Sequence, residues 1–154
     1  MGSKRVVSVT NTWIVLPAVR SFDVLAVRVE GDYTLWLNSE NTYGHQFWDG
    51  NRVDYDRDKC PNYFNTFSDG VGLSMNLSDK ATQYIECMLV VCVGSGADDI
   101  LAVGTYQHAA ETTTLDQSKK YTIDILGYGG VVDFSSSVRK KYEQGAGLIV
   151  QDVE

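Results

Sequence analysis

Only two histidines, His45 and His108, occur in the 154 residues of this chain. Histidine is the side chain best suited to proton transfer near neutral pH, so nucleophilic and acid–base catalysis have few parts to work with. No apolar run reaches the length of about eighteen residues that a spanning helix needs. The first residues lack the apolar core of a secretory signal. Basic residues are also short: 13 Lys and Arg stand against 20 Asp and Glu, for a net charge of −7. That balance disfavours nucleic acid and anionic membranes, and the lack of a long basic arm disfavours a coat protein that packages a genome through one. The basic cluster Arg139, Lys140 and Lys141 reads as a solvated face. Cysteines number three. Cys87 and Cys92 fall in one extended segment, roughly 16 Å apart, too far for a disulfide. They read as reduced, buried thiols.

What the chain does hold is alternation. Residues 83–93 are mostly β-branched, aromatic or sulfur-bearing, and residues 100–106 follow a glycine- and aspartate-rich stretch. The pattern predicts two extended segments around a turn at 94–99, in the buried centre of a sheet. In residues 22–30, Leu25, Val27 and Val29 share one face, and Ala26, Arg28 and Glu30 the other. Gly31 and Asp32 predict a turn, with residues 33–37 returning as the second arm of a hairpin. Further strands are expected at 5–10, 12–16, 71–75, 121–126, 131–134 and 147–151. Residues 107–120 read as a loop. One short C-terminal helix is expected at 136–144, with serine at its start and Gly145 after it. The whole predicts a single all-β domain over residues 1–154: a β-sandwich or a small barrel, with a jelly roll as one member of that set.

Residues 38–70 break the rhythm. They mix turn formers with Tyr43, Phe47, Trp48, Tyr55, Tyr63, Phe64 and Phe67, and are expected to form a long aromatic and Asp-rich loop or insertion, with short strands near 46–48 and 63–67. Long excursions from a compact domain are often functional. Exposed rings beside planar polar groups suit a protein partner or a sugar face; folded back, they would pin the loop to the core. The candidate binding residues are Tyr43, His45, Trp48, Tyr55 and Tyr63.

Motifs for chemistry are incomplete. Asp54, Asp56 and Asp58 resemble the first half of a calcium loop, but Lys59 stands where a sharp turn wants glycine and Asn65 where a bidentate glutamate belongs. Calcium is therefore the one cofactor to consider, and the expectation is none. His45 and Cys60 share the 38–70 segment without the spacing of a zinc site. Ser95 lies between Gly94 and Gly96 but lacks the flanking pattern of a nucleophile elbow. No catalytic residue is assigned, and the chain is expected not to be an enzyme.

Residues 12–16, 23–31 with 33–37, and Ser68, Asp69, Gly70, Val71, Gly72 and Leu73 with the apolar strand after them form a pattern spanning roughly residues 10–106. This pattern resembles small acidic all-β virion proteins of tailed bacteriophages, of the head decoration or cement type. The 38–70 segment departs from the simplest version of it. The resemblance implies a non-enzymatic structural role, binding a capsid lattice as a homo-oligomer, often a trimer, in the virion or the host cytoplasm. The alternative is a carbohydrate-binding module or lectin that uses the aromatic segment 43–67.

Overall fold

The structure, a computed structural model, describes residues 3–143 and 147–149. Strand makes up 59% and helix 7%, so the all-β expectation holds. The strands are β1 (Ser3–Trp13), β2 (Phe22–Trp36), β3 (Thr42–Trp48), β4 (Asn51–Asp56), β5 (Phe64–Phe67), β6 (Gly70–Asn76), β7 (Ile85–Gln107), β8 (Tyr121–Tyr128), β9 (Val132–Phe134) and β10 (Gly147–Ile149). The only α-helix among the described residues is α1 (Leu115–Ser118).

β7 is the axis of the molecule. Along one side it pairs with β2 and then β3; along the other it pairs with β1 and β10. β4 extends β3, and β6 with β5 extends β2, giving one antiparallel eight-stranded sheet. That sheet curls over itself. Gly44 of β3 lies so close to Leu73 of β6 that a Cβ would overlap its side chain, and Gln46 of β3 donates to the carbonyl of Asn76 at 2.9 Å. The layers expected of a sandwich are thus two halves of one open, curled sheet.

Both predicted turns are corrected. Gly31 and Asp32 do not end a strand: β2 runs through them with a register shift between Gly31 and Tyr33, and Gly31 takes φ 119°, which a residue without Cβ adopts readily. The 94–99 stretch likewise lies within β7. β2 therefore pairs through residues 24–36 with residues 92–107 of β7 on both sides of the shift, instead of the two folding into separate hairpins.

The main core gathers Val7, Val9, Leu25, Val27, Val29, Leu73, Met75, Ile85, Cys87, Leu89, Val91 and Val93, the alternate residues of four strands. The opposite face of β2 is buried too. Val24 and Ala26 join Tyr121, Ile123, Val132, Phe134, Val138 and Tyr142 in a second cluster beneath the β8–β9 sheet. Arg28, on the face it shares with Ala26 and Glu30, is almost fully buried there; it donates from Nε to the carbonyl of Gly130 at 2.8 Å and pairs with Glu30 at 2.7 Å.

The expected C-terminal helix at 136–144 does not form in its described part. Residues Arg139–Lys141 make a single 3-10 turn and Tyr142 turns extended. Three tertiary contacts draw it out: its ring stacks on Phe134 with centroids 4.2 Å apart, its hydroxyl donates to the carbonyl of Phe22, and its backbone bridges Ala109. Residue 144 lies outside the described residues, as do residues 150 and 151 of the expected last strand. The segment read as a loop at 107–120 holds α1 instead, closed by a capping box in which Thr114 accepts from the Gln117 N–H while the Gln117 side chain accepts from the Thr114 N–H. All three cysteines are free.

Candidate functional site

The 38–70 segment is not a loop. Asp49 and Gly50 sit at φ 49° and 83°, the two left-handed positions of a tight hairpin turn, and join β3 to β4. Asp49 then does a second job: its carboxylate accepts from the N–H groups of Thr82, Gln83 and Tyr84 and from the Thr82 hydroxyl. These bonds hold its carboxyl below the usual range and tie the hairpin to the entry of β7. Gln46, nearly fully buried, spans from Asn76 to the N–H of Ser78. Arg57 bonds the carbonyl of Leu37. The hairpin is therefore fixed to the body at both ends.

Alternation divides its side chains. On the outer face, Tyr43 stands opposite Asp56, His45 opposite Asp54 and Phe47 opposite Arg52. His45 Nδ1 lies 2.7 Å from Asp54 Oδ1, Arg52 Nε lies 2.5 Å from the same oxygen, and the Arg52 guanidinium stacks over Phe47. The rings of Tyr43, His45 and Phe47 follow one another at 5.2 and 5.6 Å. The Arg52 hydrogen bond first, and that of His45 second, hold the Asp54 carboxyl below its usual range. Tyr43, His45, Arg52, Asp54 and Asp56, with Glu40, line an open hollow of about 480 Å³. Its charge is acid-rich, three carboxylates to one guanidinium.

Two candidate residues reach this hollow with their side-chain rows, Tyr43 and His45; Tyr55 lines it from the inner row. Tyr55 is buried, its hydroxyl pushed up to about 12 by desolvation, and Tyr63 packs edge-on against it at 5.4 Å. Trp48 and Tyr63 both pack against the main core. Arg52, which the sequence did not single out, belongs to the site; the signal was its place opposite Phe47, two residues beyond a two-residue turn. The three aspartates of the half calcium loop do not converge. Asp54 serves His45 and Arg52, while Asp56 accepts from the N–H groups of Asp58 and Lys59 in a local turn. Among the described residues no group of three or more His, Cys, Asp or Glu side chains is placed to hold a metal ion.

A second polar cluster centres on Asp23. Asp23, completely buried, accepts from the Tyr106 hydroxyl at 2.6 Å, the Ala109 N–H at 2.8 Å and His108 Nδ1 at 2.9 Å. The Trp13 indole donates to Tyr106, and His108 packs against Trp13 at 4.8 Å. Burial raises the Asp23 carboxyl despite these bonds. His108, within the stretch read from sequence as a loop, is largely buried and lines an open cleft of about 380 Å³ with Trp13, Pro17, Val19 and Glu143. No hydroxyl or thiol nucleophile lines that cleft among the described residues.

No described helix is long and apolar enough to cross a membrane. A scan against protein-family models, a search of curated proteins and a search of solved structures find no match to this chain.

Proposed function

We propose that this is a non-enzymatic binding protein that docks on a protein surface, a virion capsid lattice, through the outer face of the β3–β4 hairpin. One observation carries the reading: three aromatic side chains in a row face a row of Arg and Asp partners on a hairpin that is anchored at both ends. Aromatic and arginine side chains are the usual anchors of protein interfaces, and a rigid scaffold lowers the entropic cost of using them. The acid excess of the hollow suits a partner surface carrying basic and hydroxyl groups. The resemblance to decoration proteins supplies the capsid as the partner; no calcium or other cofactor enters the reading.

A carbohydrate-binding role is the second reading, favoured by the size of the hollow, which falls in the range of small-ligand sites, and by Tyr43 lying beside carboxylates able to accept sugar hydroxyls. Co-sedimentation with purified tailed-phage capsids and a glycan array separate the two. Capsid binding lost in Tyr43→Ala and Arg52→Ala variants supports docking; glycan binding lost in Tyr43→Ala supports the second reading. Absence of both, in protein shown by circular dichroism to be folded, overturns the proposal.

A further inference from the structure

β1 is an eleven-residue strand with β7 on one side; among the described residues no strand takes its other side. A free edge presents a row of backbone donors and acceptors, and natural proteins guard such rows with charge, proline, bulges or short length. None of these devices occurs between Val6 and Thr12. The register against β7 is unbroken over all eleven pairs, and between Val6 and Thr12 the exposed side chains are Ser8, Thr10 and Thr12, uncharged and suited to a strand. Ile14 and Val15, directly beyond the strand, are each 81% exposed.

We infer that this edge binds a second copy of the same chain, β1 against β1, antiparallel about a two-fold axis at Val9. Self-pairing of one patch is the form a two-fold interface takes, and this register is complementary. Val9 faces its own copy, Ser8 faces Thr10, Val6 faces Thr12 and Lys4 faces Ile14. The basic start of one strand then lies beside the end of the other, where Thr12 bonds the Glu86 carboxylate at 3.3 Å. No two like charges face each other across the seam. Ile14, one of the two most exposed apolar residues of the loop, lies at each end of the seam. Two β7-centred sheets join into one continuous sheet by strand addition. The seam lies on the opposite side of β7 from the hairpin, so dimer formation and partner docking succeed or fail separately.

Light scattering on the purified chain tests this. The expected mass is twice the 17.1 kDa of one chain. Ser8→Lys with Thr10→Lys places lysine opposite lysine twice across the axis and is expected to give monomers with an unchanged dichroism spectrum; Ser8→Glu with Thr10→Lys places unlike charges opposite and is expected to restore the dimer. In parallel, Ser8→Cys with Thr10→Cys is expected to give a disulfide-linked dimer on oxidation, at the close Cα spacing of facing strand residues, while the unaltered chain, with its native cysteines, is not cross-linked. A monomeric or trimeric wild-type mass, a dimer indifferent to both charge variants, or failure of the cysteine pair to cross-link overturns the inference.

Discussion

The carboxylate of Asp23, with no exposed surface, lies 2.9 Å from Nδ1 of His108, a residue at the rim of an open cleft. The pair links the β2 strand to the end of β7, and through Tyr106 to Trp13 at the end of β1. Removing the carboxylate strands several donors at once. Asp23→Ala is expected to destabilise the fold by about 3 kcal/mol, because the Tyr106 hydroxyl and Ala109 N–H lose a buried acceptor. Tyr106→Phe removes one bond of the set and is expected to cost about 1 kcal/mol. Urea denaturation of both variants measures the difference.

The same pair sets a pH dependence. Burial pulls the His108 imidazole down, but the Asp23 hydrogen bond and charge, with Glu143, overcome it and hold the group above its ordinary value of 6.5. A group raised in the folded state stabilises the fold fully below its unfolded value and loses that contribution as pH rises through its folded value. The raised Asp23 carboxyl has the same sign, beginning from 3.8. The melting temperature is therefore expected to fall as pH rises above about 6.5. In His108→Asn that decline flattens; a variant with an unchanged slope would assign the titration elsewhere.

Asp49 is expected to behave in the opposite sense. Its carboxyl is held below 3.8 by the N–H of Thr82 first, with those of Gln83 and Tyr84 and the Thr82 hydroxyl adding to it. Stability from this group is present above the unfolded value and is lost as pH falls through the lower folded one. Asp49→Asn, which tolerates the positive φ of 49°, is expected to lower the melting temperature by a few degrees at neutral pH. It should also lessen the loss of stability expected below pH about 4. A thermal series from pH 2 to 7 reads both effects.

Tyr43 and Trp48 are expected to separate binding from stability. Tyr43 is on the outer row and Trp48 packs against the main core. Tyr43→Ala should leave the urea midpoint within about 0.5 kcal/mol of wild type while abolishing partner binding. Trp48→Ala should cost roughly 3 kcal/mol through the cavity it opens. Equal destabilisation by the two would place Tyr43 in the core.

Gly44 is expected to resist substitution. A Cβ there would overlap the Leu73 side chain and come within 2.9 Å of the Met88 carbonyl oxygen. Backbone cannot move aside as a flexible side chain can, so Gly44→Ala should cost about 2 kcal/mol or more by overpacking. Calorimetric unfolding provides the check.

Much of this architecture is legible from side-chain period alone. Leu25, Val27 and Val29 alternate into the core, and so do Tyr33, Leu35 and Leu37. Their shared odd numbering across Gly31 carries the mark of one strand: a true two-residue turn separates two strands that face each other, whereas here both arms face β7. The tight turn at Asp49 and Gly50 carried an equally plain signal, obscured by the charged residues that follow it. Thr114 and Gln117 spelled a capping box around only one turn of helix. The candidate site was half legible. Tyr43 and His45 lie where an outward aromatic row requires, but Trp48 falls on the inner row and Arg52 enters only through its cross-strand neighbours Phe47 and Asp54.

Local alternation by itself determined that this protein is built of strands and which residues of β1, β2 and β7 point inward, because a pleated chain turns successive side chains to opposite faces. Only the tertiary structure decided that β2 and β7 run as two long, bent, paired strands, that Val24, Ala26 and Arg28 lie beneath the β8–β9 sheet, and that Tyr142 leaves the helix its neighbours favour. Each of those outcomes depends on a partner far away in the chain: β7 for Gly31, Gly130 for Arg28, Phe22 and Ala109 for Tyr142. Pairing over such distances is chosen by the burial and hydrogen bonds of the assembled sheet, and no local period encodes it.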